Sequence, residues 1–570
     1  MPKNRKTKNF KYSHRATAGS IDASRDSFLD DCFYDKGDLE ALTSFDDYRC
    51  IVVGRTGAGK TALIETIKTN WAEKVIILNP HELSLSFISN NNVIKNYDEA
   101  GVSLVPFYRQ LWKHVLVTEI IKKHFRIENA AGRERFFTFI SEFLLRNRAK
   151  DEAIKYLREW GDNFWETTEV RIKEMVRKIT THQGKSVSGS LKGTVPGIEG
   201  SAQANYEDSK ETVEEQKSEI IQKAQRIVDE IQISKLQTVI KLLAENILTD
   251  PQKQYFITID QLDEDWIEDK IRYRLIFELI TTASEINNLL MGRVKIIIAL
   301  RADLLDRMYI YLQQNQPLNF QREKYEDLYY RITWNASQLK KLLKMRIEHL
   351  HAKQFTSQPI TLEEFFSDKN IELAEFTVKK IKYKPLDYIL ERTMYIPRDV
   401  IRFINRCIEV ATAQDEGVLT ETIIRIAERS ISQEKLNALE GEWGVNYPNL
   451  MPVCELLRDQ PSTFTIREFE QKQQNKIDSV FTQLKQTNCP FYKLLSELYG
   501  HDGPEMSIVL AELFHILFDI GIVGIERHHN SLVYWSFKEN KVVRRDFYDP
   551  STMIYIHPVF FAALSIKTPK

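Results

Sequence analysis

Short apolar runs separated by longer amphipathic stretches mark the part of the chain between residues 49 and 334. Five runs have the length and the β-branched content of buried strands: 49–53, 73–80, 255–259, 294–300 and 328–334. Buried strands separated by helices are typical of a parallel sheet with helices on both faces. The pattern therefore predicts an α/β core.

Length and composition narrow the classes of protein. A chain of 570 residues with 43% hydrophobic residues predicts several globular cores. Its 79 basic and 80 acidic residues nearly cancel, so no global field attracts nucleic acid or a membrane. The five cysteines lack ligand spacing, and no apolar run reaches the roughly 18 residues that span a bilayer. These features predict a cytoplasmic protein without disulfides, structural zinc or a membrane role.

A glycine-rich loop follows the first predicted strand and precedes a helical stretch. Residues 54–61, GRTGAGKT, fit the pattern GxxxxGK[ST] in the strand–loop–helix context that this pattern requires. Backbone N–H groups of such a loop surround phosphate oxygens, the lysine reaches the β- and γ-phosphates, and the hydroxyl ligates Mg²⁺. The predicted nucleotide-binding residues are Gly54, Arg55, Thr56, Gly57, Ala58, Gly59, Lys60, Thr61 and Ala62.

Four carboxylates follow the third predicted strand, in the segment QYFITIDQLDEDW. We assign Asp260 to Mg²⁺, together with Thr61, because its strand ends beside the phosphate loop. Asp263 is our hypothesis for the second catalytic carboxylate, which polarises the attacking water. Glu264 and Asp265 are expected to face solvent or to cap the next helix. A solvated acidic turn is the alternative for the segment alone.

Two arginines stand at positions of interest, one at the end of a strand and one at the start of a helix. Arg301 stands at the exit of the fourth strand, where ligands bind in open α/β sheets, and we favour γ-phosphate sensing over a surface salt bridge. Arg398 follows Pro397 at the start of an amphipathic helix. An arginine acting in trans cannot be chosen among Arg307, Arg322 and Arg331.

These motifs resemble the additional-strand class of P-loop ATPases. The segments FITIDQLD, IIIALR and MYIPRDVIRFINR are most similar to the STAND and KAP NTPases and to their AAA+ relatives of the origin-recognition type. The resemblance implies ATP with Mg²⁺, although the choice of ATP over GTP rests on it alone. It also implies that lid arginines, here Arg398 and Arg402, reach the nucleotide. Bacterial members of this group are commonly linked to antiphage defence.

The chain departs from these families in two respects. Many KAP proteins carry membrane segments, which this sequence lacks, so a membrane role does not transfer. AAA+ enzymes have a glutamate after the aspartate that ends the third strand, and Gln261 stands there instead. An amide can orient a water molecule but cannot take its proton.

Composition shifts divide the chain into six predicted segments. They are a basic flexible tail (1–24), the first part of the ATPase core (25–105), a mainly helical insertion with a Gly/Ser-rich hairpin or linker at 182–206 (106–250), the second part of the core (251–335), a helical lid (336–430) and a winged-helix-like domain (431–570). The basic tail could alternatively contact a phosphate backbone. Lys538, Lys541, Arg544 and Arg545 lie near the predicted wing.

The sequence therefore predicts an oligomeric ATP-binding and ATP-hydrolysing switch. The resemblance implies that it senses or regulates in a bacterial defence system, with an effector or neighbouring-gene product as partner. A DNA-binding loader that uses the winged helix is one alternative. A nucleotide-binding scaffold with little turnover is another.

Overall fold

A computed structural model of the chain divides into two compact units, Asp35–Thr333 and Met1–Tyr34 with Trp334–Lys570. We call them the P-loop unit and the helical unit. The structure describes residues 11–83, 103–127, 134, 135, 138, 240, 241, 243–250, 252–264, 267–315, 322–354, 361–367, 369–444, 447–484, 506–526, 532–538 and 549–569. The Gly/Ser-rich segment 182–206 lies outside these residues. No described helix is long and apolar enough to cross a membrane.

Ten strands and fifteen α-helices are numbered here in chain order, within the described residues. The strands are β1 Ile51–Gly54, β2 Val75–Leu78, β3 Tyr255–Ile259, β4 Val294–Arg301, β5 Tyr329–Arg331, β6 Ile371–Leu373, β7 Ile381–Tyr383, β8 Thr463–Thr465, β9 Val523–Glu526 and β10 Met553–Ile556. The helices are α1 Leu29–Cys32, α2 Asp38–Thr43, α3 Lys60–Asn70, α4 Val105–Phe125, α5 Asp269–Leu289, α6 Ala302–Asn315, α7 Glu323–Glu326, α8 Ala336–Gln354, α9 Leu362–Phe365, α10 Pro385–Leu390, α11 Pro397–Ala413, α12 Glu421–Trp443, α13 Leu450–Glu455, α14 Ile466–Leu484 and α15 Met506–Ile520.

The P-loop unit is built on a five-stranded sheet with the order β2-β3-β4-β1-β5. All four strand pairs are parallel, and flanking helices connect them. Each of the five predicted strands is present, which confirms the predicted α/β P-loop core. The sequence could not give the strand order, because every strand is apolar along its length and offers no preference among neighbours.

Helix α4 forms part of the core of the P-loop unit. Trp112 is fully buried and its indole N–H donates to the carbonyl oxygen of Leu275 in α5, at 2.8 Å. Arg109 and Lys113 pair with carboxylates of α5. The sequence pattern predicted this helix in a separate insertion, whereas its apolar side chains pack with the sheet in one core.

Helices dominate the helical unit. Its core joins α8, α11 and α12 to residues of the N-terminal segment, including Tyr12 and Ala18, which are 5% and 0% exposed. Asp26 and Arg346 form a buried ion pair at 2.6 Å. Residues 11–24 therefore pack against the unit and are not the flexible tail that their basic composition predicted. Residues 25–34, which we had assigned to the ATPase core, also belong here.

A three-stranded antiparallel sheet, with the order β8-β10-β9, lies near the C-terminus. Helices α14 and α15 lie between β8 and β9 in the chain, and Tyr534 forms one further bridge to Ile525 in β9. Helix α12 runs without a break through the boundary at residue 430 that the sequence analysis placed between lid and C-terminal domain. Of the four wing residues proposed to favour DNA, only Lys538 is described.

One buried ionic network holds the helical unit together. Arg392, 1% exposed, donates to Glu428 in α12 and to Glu375 next to β6. Its guanidinium lies 3.5 Å from the ring centroid of Tyr388, whose hydroxyl donates to Glu428. Both carboxylates depend on the same guanidinium, so losing it leaves two buried charges without their cation.

We expect Arg392→Ala to destabilise the helical unit by about 3 to 5 kcal/mol, as for other buried pairs that lose one partner. Urea denaturation followed by circular dichroism measures the change. Arg429→Ala is the matched control, because Arg429 is an exposed arginine on α12, next to Glu428 in the sequence. The control should unfold within about 0.5 kcal/mol of the parent. Equal midpoints for the two variants would contradict the assigned role of the network.

Candidate nucleotide site

The phosphate loop connects β1 to α3 in the geometry that its glycines allow. Gly59 is the N-cap residue of α3 with φ +103°, and Gly57 has φ +80°. Both lie in the left-handed region, which residues with a Cβ adopt at a cost. No side chain caps the N-terminus of α3, so its first N–H groups face the loop with the partial positive charge of the helix.

Lys60, the first residue of α3, is 9% exposed. Its ammonium donates to the carbonyl oxygens of Gly54 and Arg55, at 3.0 and 3.1 Å. Burial lowers the pKa of Lys60 to about 8, although the charges of Asp263 and Asp260 act in the opposite direction. The loop thus holds a partly desolvated cation close to two carboxylates, an arrangement suited to a polyanionic ligand.

Asp260 follows β3 and faces the start of α3. The Gln261 N–H donates to its Oδ1 at 2.8 Å. Burial raises the pKa of Asp260, although this N–H, the Thr61 side chain and the charge of Lys60 act in the opposite direction. Gln261 has φ +63°, an uncommon conformation for a residue other than glycine, and such strain is concentrated at functional sites.

Arg301 ends β4, the strand between β1 and β3, and its register partner is Gly54. Its guanidinium donates to Asp263 at 3.2 Å and to both carboxylate oxygens of Asp303 at 2.9 and 2.8 Å. Burial would lower the pKa of Arg301, but Asp303 and Asp263 outweigh it and raise the pKa. Asp303 also accepts from Arg307.

Sequence reasoning missed Asp303, the strongest partner of Arg301 in this structure. Burial alone would raise its pKa, whereas hydrogen bonds and charges of Arg301 and Arg307 lower it. Asp303 follows Arg301 by two residues, and this spacing was the one feature of the sequence that could have indicated the pair. From sequence alone, however, Asp303 also fits an ordinary acidic residue in the first turn of a solvent-exposed helix.

The structure brings Lys60, Thr61, Asp260, Asp263 and Arg301 together at the carboxyl edge of the sheet. Glu264 lies in the turn after β3, where its carboxylate pairs with the His81 imidazole at 2.8 Å. It does not cap α5, which begins five residues later, at Asp269. Asp265 lies outside the described residues.

Arg398 and Arg402 lie one turn apart on α11, in the helical unit. The guanidinium of neither residue makes an ion pair or a hydrogen bond with any residue that the structure describes. Arg402 lines an open groove of about 900 Å³ within that unit. Nucleotide contact by these arginines therefore stays a prediction.

Arg307, Arg322 and Arg331, the candidates for an arginine in trans, all pair with carboxylates of the P-loop unit. Their partners are Asp303 for Arg307, Asp306 and Glu326 for Arg322, and Glu326 for Arg331. Any role in trans would require these pairs to open. The geometry favours none of the three.

The donor set fits a magnesium nucleotide. A hydroxyl and a carboxylate in mutual contact are oxygen ligands of the kind that Mg²⁺ takes, with water completing its shell. The loop N–H groups and Lys60 fit the phosphates. These matches concern chemistry, and the identity of the base is not encoded in them.

Residues 337–440 match the family model of the FunZ-associated C-terminal helical domain. The match extends from α8 into α12 and describes this segment only. The putative transposon gamma-delta 80.3 kDa protein of Escherichia coli strain K12 is 21% identical to this chain over 556 residues. That alignment covers 96% of this chain and 67% of the relative.

Two solved structures resemble the chain weakly. Cdc6p from Pyrobaculum aerophilum is 13% identical, with 90% of this chain and 86% of that chain covered and a TM-score of 0.26. The Aeropyrum pernix ORC1 protein, solved in complex with DNA, is 12% identical, with 95% and 94% covered and a TM-score of 0.30. TM-scores this low do not support any inference about this chain. The P-loop core is established by its own strands and loop.

Because burial lowers the pKa of Lys60, its charge costs stability when no nucleotide is bound. Lys60→Met, a change of similar shape, should raise the free energy of unfolding at pH 7 by about 1 to 3 kcal/mol. The stability advantage of Lys60→Met over the parent should shrink between about pH 8 and pH 10.5. In this range the folded parent has lost the proton of Lys60, whereas its unfolded chain still binds it.

Thermal unfolding of both proteins across this pH range, without nucleotide, measures the effect. The same variant should lose the stabilisation that Mg-ATP gives the parent, because the phosphates lose their buried cation. Lys68→Met, a half-exposed lysine on the same helix, controls for the substitution. If Lys60→Met is less stable than the parent at pH 7, the burial of the charged Lys60 does not cost stability, and the prediction is wrong.

Proposed function

We propose that this chain is a nucleotide-dependent switch that binds Mg-ATP in the P-loop unit and hydrolyses it. The observation that carries the proposal is the buried Lys60, whose ammonium contacts the carbonyl oxygens of Gly54 and Arg55 and interacts with the charges of Asp263 and Asp260. The carboxylate of Asp260 also interacts with the Thr61 side chain, so two oxygen donors from separate segments come together near the start of α3. A merely structural role for these groups would not require a buried lysine in contact with loop carbonyls.

The loop supplies binding and the neighbouring strands supply the chemistry. Lys60 would exchange its two carbonyl partners for phosphate oxygens. Thr61 and Asp260 would hold Mg²⁺, which would supply positive charge to the phosphates. Asp263 orients and polarises the attacking water, and Gln261 can help to position it. Asp263 suits this role because Arg301 contacts its Oδ2 only.

Arg301 is the element that we propose to sense the nucleotide. In this structure its guanidinium is shared between Asp263 and Asp303. Arg301 can leave Asp263 for the terminal phosphate while Asp303 keeps its position, which frees Asp263 for water. A ligand can shift this equilibrium only by its differential affinity for the two arrangements. We further propose that Arg398 carries the change to the helical unit and that assembly accompanies it.

A DNA-binding role is the second candidate. Its support is the order strand–helix–helix–strand–strand in β8, α14, α15, β9 and β10, with β10 in the centre of the sheet, which is the order of a winged helix. The name of the Escherichia coli relative associates it with a transposon, a DNA element. Defence, an effector partner and the scaffold alternative have no comparable support and remain hypotheses from the resemblance.

Asp263→Asn should keep Mg-ATP bound and slow single-turnover hydrolysis about a hundredfold, because the amide cannot accept a proton from water. Rapid-quench measurement of phosphate release from pre-bound ATP gives the rate. Glu264→Gln is the matched control, since this neighbouring acid faces His81. Normal hydrolysis by Asp263→Asn together with slow hydrolysis by Glu264→Gln would mean that the wrong acid was chosen.

Asp260→Asn should weaken the binding of Mg-ATP, whereas Asp263→Asn should slow its hydrolysis. It removes a charge from the proposed Mg²⁺ ligand, so the affinity for Mg-ATP should fall by about tenfold or more while the affinity for metal-free ATP changes little. Titrations with a fluorescent ATP analogue, with and without Mg²⁺, separate the two. Equal losses in both titrations would exclude Asp260 as a metal ligand.

Arg301→Ala and Arg398→Ala should each leave nucleotide affinity within about tenfold, because each removes one charged contact among many. Both should impair assembly in response to ATP, which mass photometry measures with and without nucleotide. Arg429→Ala serves as control, as an exposed arginine of the helical unit. Parent-like assembly and hydrolysis by both variants would refute the sensing roles.

A further inference from the structure

A basic β-hairpin projects from the helical unit, and the functions proposed above do not use it. Strands β6 and β7 pair antiparallel and join through residues 374–380. Residues 377–384 read TVKKIKYK, with four lysines and no acid, in a chain whose charges otherwise nearly cancel. Lys379, Lys380, Lys382 and Lys384 are all exposed. We call residues 371–384 the basic hairpin.

The base of the basic hairpin is fixed while its tip is open to solvent. Glu375, 2% exposed, accepts hydrogen bonds from the Tyr383 hydroxyl, at 2.6 Å, and from Arg392. Phe376 packs edge-on against Tyr555 in β10 and against Phe561. The hairpin is therefore attached to the C-terminal three-stranded sheet, and its charged tip is presented on a rigid support.

The charge of the tip is largely uncompensated. Lys382 pairs with Glu372 across the strands at 2.8 Å. The ammonium groups of Lys379, Lys380 and Lys384 make no ion pair or hydrogen bond with any residue in the described part of the chain. Lys380, Lys382 and Lys384 occupy every second position, about 7 Å apart in an extended strand. This is a row of cations with the spacing of neighbouring phosphates along a nucleic-acid strand.

Protection of the strand edges is the alternative explanation for such lysines. It does not account for Val378, which precedes the lysines, or for Ile381, which lies between them; they are 72% and 44% exposed. A surface evolved only for solubility gains nothing from exposed aliphatic side chains. An apolar tip flanked by lysines is the composition of a ribbon that enters a groove, where lysines meet phosphates and aliphatic groups meet bases or sugars.

We infer that the basic hairpin is a contact site for duplex DNA. A two-stranded ribbon fits the major groove of B-form DNA, whereas the deep, narrow major groove of an RNA duplex does not admit it. An anionic membrane is the less suitable partner, because membrane-binding surfaces insert large residues such as tryptophan, phenylalanine or leucine. Here the aromatic Phe376 is turned into the protein. The inference does not depend on ATP hydrolysis.

The full-length chain is tested by fluorescence anisotropy with a labelled 30-base-pair duplex of mixed sequence, over a range of KCl concentrations. Changing Lys379, Lys380 and Lys384 together to Gln should weaken binding at least tenfold at low salt. It should also reduce the slope of log affinity against log salt by about 2 to 3, since each lysine displaces about one counterion. Lys324→Gln with Lys344→Gln removes exposed charge elsewhere and should leave the slope within about one unit.

Glu372→Gln gives a change of opposite sign. It removes a negative charge from the surface and releases Lys382, so the affinity for DNA should rise a few-fold. A role in edge protection alone predicts no gain. All altered side chains are exposed, so the variants should fold like the parent. Circular dichroism of each variant checks this.

The same measurements in a Lys60→Ala background separate the two proposals, because the effect of the hairpin should persist when nucleotide binding is lost. Four results would overturn the inference. They are absence of duplex binding by the parent at low salt, an unchanged slope in the triple variant, weaker binding by Glu372→Gln, and lysine-dependent binding that is stronger to an RNA duplex or to phosphatidylserine vesicles than to DNA.

Discussion

The position of β4 between β1 and β3 is the constraint on which the candidate site depends. Parallel pairing on both sides aligns the carboxyl ends of the three strands at one edge of the sheet. Arg301 becomes the register partner of Gly54, and Asp260 reaches the N-terminus of α3. Residues more than two hundred positions apart thereby form one cluster.

That cluster concentrates charge where water is scarce. Burial works against the ionised forms of both Lys60 and Asp260. Arg301 keeps its charge because two carboxylates share it. Without ligand, these charges satisfy one another only in part. A phosphate chain with Mg²⁺ offers them better partners, and this difference is what can drive a switch.

The helical unit uses buried charge for a different purpose. Arg392 joins Glu375 beside the basic hairpin to Glu428 in α12, so one guanidinium fixes both the helix packing and the support of the hairpin. The network is fully internal, whereas the lysines beyond it are exposed. A rigid base with a charged tip is the arrangement that binding a polyanion requires, because little order is lost on contact.

The sequence by itself determined the strands and the phosphate loop, and it selected Lys60, Thr61, Asp260 and Arg301 as candidate site residues, which the structure brings to one edge of the sheet. Strand periodicity and glycine spacing are local properties that survive without tertiary context. Strand order, the Arg301–Asp303 pair, the packing of residues 11–24 and the inclusion of α4 in the core required the tertiary structure. These features arise from contacts between distant segments, and local pattern gives them no energetic preference. The basic composition near the N-terminus was misleading for the same reason, since Tyr12 and Ala18 find their burial only in helices that lie more than three hundred residues away.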